Sequence, residues 1–401
     1  MRRSLPGSNR LPMLNKLIPL GIPLAWLNLM AEKKRFFVAL AGIMFAVTMM
    51  LFQIGLNSAL FTQVVSPHLK INADVVLVST QYEYFGISRT LKRTRLVQAR
   101  AHPDVQAISG MHLINLPIKN PATGRDRDIF ILGFDPANPL FNDPDIQSQQ
   151  GELKIPGSAL FDVRSRDAFG PFPRLLETSD RVRTEVNGVR VDVVGVFAMG
   201  TTFAADGNLI VSEDTFLKLF PMASRDELSV GFVQLREGAD AEQVAEDLRA
   251  RLKDDVQVMT YGAFIDNEKQ YWQERTPIGF VITASMIVSL VVGAVIVYQI
   301  LYTDVTDHLQ EYATLKSIGF RDVFFINLVL QESFILSFLG FIPGALLTAW
   351  LYKLTRELAF MPTYLTWDKI LIVFGLTVFM CVCAGALATR KLRHANPSDI
   401  F

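Results

Sequence analysis

The sequence predicts an α-helical membrane protein: four transmembrane helices plus a large extracytoplasmic α+β domain in which two βαβ-like units bracket a mainly β insertion. Three observations predict it. Half of the 401 residues are hydrophobic and only 19% are charged, whereas soluble chains carry about a quarter charged residues. The apolar residues gather in four runs, each long enough to cross about 30 Å of hydrocarbon. Between the first two runs, 62–276 has ordinary charge and turn content, and its length suits one or two folded domains. The 39 basic residues balance the 39 acidic ones, so no net field draws the chain to a polyanion and no nucleic-acid partner is expected. The two cysteines, Cys381 and Cys383, are too few for a disulfide framework and too close together in an apolar run for good bridge geometry.

In chain order, 1–35 reads as a cytoplasmic N-terminus ending in an interfacial amphipathic helix. Pro23 suits a first helical turn, Leu24, Leu27 and Ala31 share a stripe, and Lys33, Lys34 and Arg35 meet the headgroups. The run 36–61 holds no charge and is too long for a signal peptide, so it reads as an uncleaved first span. The second, third and fourth spans are 277–302, 323–352 and 370–388. Basic flanks set their orientation. Lys33 to Arg35, the pair Lys316 and Arg321, and the cluster Arg390, Lys391 and Arg393 fall on one side if both termini are cytoplasmic. Lys353 and Arg356, in the short outer loop 353–369, are minor exceptions, and 389–401 is a cytoplasmic tail. Trp272, Trp350 and Trp367 then lie at the outer interface and Trp26 at the inner one, as an aromatic belt requires.

Within 62–276, Ala73–Thr80 alternates like a strand, Arg93–Ala101 can form a helix, and Val105–Leu113 resumes strand spacing. Ser229–Arg236 and Val256–Thr260 are further strand candidates. Between them, Asp240–Leu252 reads as a helix with Asp240 as N-cap and Val244, Leu248 and Leu252 on one face. These units, about 62–118 and 225–276, enclose a mainly β stretch at 119–224. Its plainest element is a hairpin over Arg183–Phe197, turning at Asn187-Gly188, a pair that a type I′ turn favours. The basic run Arg89, Lys92, Arg93, Arg95, Arg100 reads as a solvated helix face, with contact to a partner or to lipid headgroups as the alternative.

The cytoplasmic connection 303–322 is too polar to span, yet reads as a short helix ended by Gly319. Leu309, Tyr312, Ala313 and the stem of Lys316 share one face, with Asp307, Gln310, Glu311 and Thr314 around the other. Such a helix, flat on the membrane surface, can dock into a groove on a partner. In the third span, Gly340 and Gly344 allow close helix contact, within one chain or between two, and Pro343 a kink. Glu332, well inside that span, must lie near the interface, be protonated, or be paired within the bundle.

Enzymatic chemistry has little to build on. The chain carries no GxxxxGK[ST] phosphate loop, no HExxH, no paired CxxC, no GxSxG and no EF-hand loop. Its five histidines are scattered. Ser158 and Asp206 are lone polar residues of the kind that usually form turns. No catalytic, cofactor-binding or metal-binding residue is expected.

One span, a large outer domain, three further spans, EYATLKSIGF at Glu311–Phe320 and ATRKLRHANPSDIF at Ala388–Phe401 together resemble the FtsX-like permeases of MacB-type ABC transporters. PLAWLNL at Pro23–Leu29, followed by EKKRFFVALAGIMFAV from Glu32, is similar to the DevC-type permeases, known for glycolipid export. The resemblance implies a homodimeric permease in the cell inner membrane, in contact with membrane lipid. It would work with a separate cytoplasmic ABC ATPase that binds ATP and magnesium, a periplasmic adaptor and an outer-membrane channel. It implies a porter-like subdomain carrying an inserted β subdomain, and force transmission to the outer domain rather than passage of substrate between the spans. Asp307, His308, Glu311, Tyr312, Leu315, Lys316, Ile318 and Gly319 are then the ATPase-coupling residues. The family's two coupling triplets stand here as Glu311-Tyr312-Ala313, which lacks the usual glycine, and Ser317-Ile318-Gly319. Two other readings share this architecture: a non-transporting transmitter that activates a cell-wall hydrolase, and a lipoprotein-releasing permease.

Overall fold

The computed structural model describes residues 25–27, 29–30, 33–87, 89–138, 140–202, 205–307, 310, 314–315, 318–359 and 361–389. In chain order it runs helix α1 (Lys33–Val65), strands β1 (Val75–Ser79) and β2 (Leu91–Lys92), helix α2 (Arg93–Ala99), strands β3 (Val105–Lys119) and β4 (Asp126–Phe134) and helix α3 (Pro144–Gln149). Strand β5 (Ser158–Asp162), helix α4 (Phe172–Leu176), strands β6 (Val182–Val186), β7 (Val189–Phe197) and β8 (Asn208–Ser212) and helix α5 (Glu213–Leu219) follow. The last elements are strands β9 (Glu227–Leu228) and β10 (Val230–Leu235), helix α6 (Ala241–Arg251), strand β11 (Val256–Thr260), and helices α7 (Tyr261–Gln270), α8 (Pro277–Asp307), α9 (Asp322–Ala359) and α10 (Trp367–Ala388). The chain divides into two units, one drawn from 1–59 with 280–401, the other comprising 60–279.

In the first unit, α1, α8, α9 and α10 are four helices long and apolar enough to cross a membrane. Helix is the form these runs must take in lipid, because it satisfies every backbone N–H and C=O within the segment. The helices overrun the expected spans by several residues: α1 reaches Val65, α8 Asp307 and α9 Ala359. Backbone hydrogen bonding continues past the point where hydrocarbon contact ends. Their shared core contains Ile43, Ala46, Val47 and Met50 of α1, Val297 and Leu301 of α8, Leu336 of α9 and Met380 and Ala384 of α10. Near the N-terminus the expected stripe is displaced. Ala25 and Leu29, one helical turn apart, are buried, while Leu27 is 62% exposed, so the buried face is not the one that Leu24, Leu27 and Ala31 suggest. Leu24 and Ala31 lie outside the described residues.

In the second unit a nine-stranded sheet has the order β11-β1-β10-β3-β4-β8-β5-β7-β6. Its first four strands pair antiparallel throughout, and with α2 and α6 they form a split βαβ arrangement. Helices α2 and α6 pack through Leu96, Ala99, Val244 and Leu248 on Val75, Leu77, Val233 and Val258. Val76 and Val78 face the opposite core with Phe232 and Phe264. Strand β1 is therefore buried on both faces, which explains its unbroken apolar run. Asp240 caps α6, accepting the Glu242 and Gln243 N–H groups at 2.9 and 3.4 Å.

The β insertion does not stand apart at 118/119. Strand β3 runs through that boundary, pairing with β10 in its first half and with β4 in its second. From there β4, β8, β5, β7 and β6 return to β3 through the Ile118–Val186 pair, reinforced by Asn187 N–H on Pro117 O at 2.8 Å. The strands thus close around Ile118, Ile131, Phe161, Val186 and Val193, joined to β3 at the Val186 end of β6. Helices α3, α4 and α5 also lie within 119–224, so the segment is less purely β than expected. The β6–β7 hairpin turns at Asn187 and Gly188, with φ of 48° and 76°.

The basic run is only in part a solvated face: Arg89, Lys92 and Arg100 are exposed, whereas Arg93 and Arg95 are not. Arg95 is 7% exposed and donates to both oxygens of Asp255 at 2.7 and 2.8 Å, which holds that carboxyl below the usual carboxylate range. Arg93 pairs with Glu213 of α5. Both arginines have partners far along the chain, which helical periodicity cannot reveal.

Candidate functional site

The connection between α8 and α9 is the candidate site, and its described residues are 310, 314–315 and 318–321. Asp307 is the last residue of α8, and its carboxylate pairs with Arg35 in the first turn of α1. Both side chains are about two-fifths exposed, 42% and 41%, so the pair fixes geometry more than it stabilises. His308, Glu311, Tyr312 and Lys316 lie outside the described residues, as do Leu309 and Ala313 of the expected apolar face.

The end of the segment is a closed turn. Ile318 N–H donates to Thr314 O and Phe320 N–H to Leu315 O, both at 3.2 Å. Gly319 has φ +112°. A residue of positive φ followed by a donor that reaches back five positions is the Schellman arrangement, which satisfies helix-terminal carbonyls. The apolar contact that accompanies it is present. Leu315 and Phe320 both pack on Ala25, Val305, Phe325, Leu328 and Val329.

Expected as a coupling residue, Leu315 faces its own chain. Ile318 is instead 71% exposed, an apolar side chain turned outward beside a rigid turn. A Cβ on Gly319 would meet nothing within 4 Å, so the demand for glycine there comes from the backbone alone.

Of the residues assigned to membrane packing, Gly340 faces Ile43 and Gly344 faces Val47 and Met44, which places the pair against α1 of the same chain. Tyr352, one further residue of this seam, donates its hydroxyl to Leu51 O. Glu332 is fully buried within the first unit. Among the described residues no group of histidine, cysteine, aspartate and glutamate is arranged to hold a metal ion. Sequence reasoning missed Arg35 as the partner of Asp307 and Phe320 as an anchor. Phe320, directly after Gly319 and one helical turn from Phe324, was the available signal.

Comparison with known proteins matches residues 36–251 to the MacB-like periplasmic core domain and residues 283–397 to the FtsX-like permease C-terminal domain. An uncharacterized ABC transporter permease of Methanocaldococcus jannaschii is 24% identical over 243 residues, 57% of this chain and 58% of that protein. The chain thus matches less than two thirds of that relative's length. The periplasmic region of MacB from Actinobacillus actinomycetemcomitans is 11% identical, covers 51% of this chain and 96% of its own, and has a TM-score of 0.34. The extracellular domain of the noncanonic ABC-type transporter YknZ from Gram-positive bacteria is 14% identical, covers 47% and 98%, and has a TM-score of 0.31. With one domain match covering just over half of the chain and a second covering the last three spans, the chain belongs to the MacB/FtsX family of ABC transporter permeases.

Proposed function

We propose that this permease mechanically couples ATP hydrolysis by a separate cytoplasmic ATPase to export from the periplasm or outer leaflet, through a periplasmic adaptor and an outer-membrane channel. The observation that supports this reading most is the 315–320 turn: two apolar anchors and a backbone hydrogen bond fix it, and Ile318 is left facing outward. A rigid element with an exposed apolar side chain is suited to receive a push, because little of the motion is lost in bending. Asp307, His308, Glu311, Tyr312, Lys316 and Ile318 form the ATPase-facing surface in this reading, with Leu315 and Gly319 holding its shape. A homodimer in the inner membrane, both termini in the cytoplasm, and a glycolipid cargo of the DevC type belong to the same reading. They rest on the basic flanks and on the resemblance at 23–47.

The permease reconstituted in nanodiscs with its ATPase should raise the rate of ATP hydrolysis. Ile318→Ala is expected to weaken ATPase pull-down and stimulation about tenfold, equivalent to about 1.4 kcal/mol. Gly319→Val should retain insertion but lose stimulation, because a β-branched residue is strained at positive φ. If both variants bind and stimulate like the parent, the turn is not the coupling element. Copurification of a wall hydrolase in place of an adaptor and channel would move the chain to the non-transporting class.

Topology is tested separately. In a background with Cys381 and Cys383 replaced by serine, Ser179→Cys on an exposed turn of the second unit should react with an impermeant thiol reagent on intact spheroplasts. Ile318→Cys should react only after permeabilisation. The reverse pattern would overturn the orientation.

A further inference from the structure

Glu268, in the last turn of α7, is 2% exposed, and no lysine or arginine is paired with it among the described residues. Its carboxyl accepts the Tyr82 hydroxyl and the Phe85 N–H. Both donors come from the 80–87 segment that follows β1. The same segment is fastened to the neighbouring helical turns by the Asn267 side-chain amide on Glu83 O at 3.5 Å. Tyr84 stacks on Tyr271 at 4.6 Å and meets Trp272 edge-on at 5.3 Å. Tyr271 and Trp272 begin a π-helical turn, Tyr271–Arg275, a feature often associated with functional positions.

Beside Glu268 lies a cavity of about 30 Å³, walled by Phe85, Phe130, Leu132, Met199 and His68. That volume admits one or two water molecules. His68 is held edge-on between Phe85 at 4.7 Å and Phe264 at 5.1 Å, and its Nδ1 has no hydrogen-bond partner. Burial lowers its pKa to about 3, so it stays neutral near neutral pH and offers Glu268 no charge. The other titratable groups around this cluster are Tyr82, Tyr84, Tyr261 and Tyr271, with Glu83 acting on Tyr84 and Tyr271 and Arg275 of the π-turn acting on Tyr271. Among the described residues that line the cavity, strand β4 contributes Phe130 and Leu132 and the stretch after β7 Met199, Thr202 and Asn208, none of which titrates. An ionised carboxylate is disfavoured in such a wall, and the two neutral donors only partly offset its lost hydration.

We propose that Glu268 is a proton-operated latch: protonated, it holds the 80–87 segment against α7 and the π-turn, and ionised, it draws water into the cavity and lets that segment lift. Burial pushes the carboxyl up to about 7 from the ordinary 4.5. The closed form therefore binds the proton more tightly than the open form. Closure is fully favoured below about 4.5, weakens as pH rises through the window to about 7, and changes no further above it.

The test uses the full chain in nanodiscs with Trp26, Trp350 and Trp367 changed to phenylalanine, which leaves Trp272, on the latch itself, as the single remaining one of four tryptophans. Its emission should shift to the red as pH rises, with a midpoint between about 4.5 and 7. Glu268→Gln should abolish the transition and keep the low-pH emission. Tyr82→Phe removes one of the two bonds that hold the closed form, so opening should begin at lower pH and the midpoint should fall by about one unit, a tenfold easier opening. The latch is refuted by a flat profile in the parent or by a transition that survives Glu268→Gln. An upward shift in Tyr82→Phe refutes it even if the glutamine variant fails to fold.

Discussion

Gly340→Leu and Gly344→Leu are each expected to destabilise the first unit by about 3 kcal/mol or more, toward the upper end of overpacking costs. A Cβ on Gly340 would lie 2.5 Å from Cγ2 of Ile43, and one on Gly344 would lie 2.8 Å from Cγ1 of Val47 and 3.0 Å from the Met44 carbonyl oxygen. Ile43 and Val47 are one helical turn apart and fully buried, so neither can swing away. The two glycines and the two branched residues form matching rows, the close approach that small residues allow between helices in lipid. Thr48 adds a polar contact, its hydroxyl 3.3 Å from Gly344 O across the same seam. Thermal unfolding of the detergent-solubilised chain measures the loss. Gly375→Leu on α10, where a Cβ would meet nothing within 4 Å, is the control and should be near neutral. Parental stability in the Gly340 and Gly344 variants, with loss of dimer instead, would mean that the glycines serve contact between chains.

The second large effect is expected at Asp162. This carboxylate ends β5 fully buried. One oxygen accepts the N–H groups of Arg164 and Met199, both at 3.0 Å. The other accepts Gly200 N–H at 2.7 Å and the Asn208 side-chain amide at 2.8 Å. The side chain therefore ties the β7–β8 connection to the end of β5. Alanine would strand these donors where water reaches poorly, and each buried unsatisfied group costs about 1–3 kcal/mol. Because some will find new partners, the expected loss is about 3–5 kcal/mol. Asparagine keeps one acceptor and should lose about half as much. Hydrogen exchange across 198–208 should rise in step with the loss, and an alanine variant within about 1 kcal/mol of the parent would refute the assignment.

Sequence alone determined features whose causes lie within a few residues. Four long apolar runs leave helix as the only satisfied backbone in lipid. Asn187-Gly188 sets a turn by its tolerance of positive φ, Asp240 caps the helix that follows it, and Gly319 closes its turn because L side chains avoid φ of +112°. The domain families follow from the same order of elements. Tertiary structure decided the pairings. The bonding of Arg95 to Asp255 and of Arg35 to Asp307, the closure of β6 on β3, the seating of Gly340 on Ile43 and the isolation of Glu268 beside His68 all join residues distant in sequence. Periodicity and turn chemistry carry no information about such partners. Which residue meets which depends on strand register and on how whole helix faces pack, and only the folded chain fixes those.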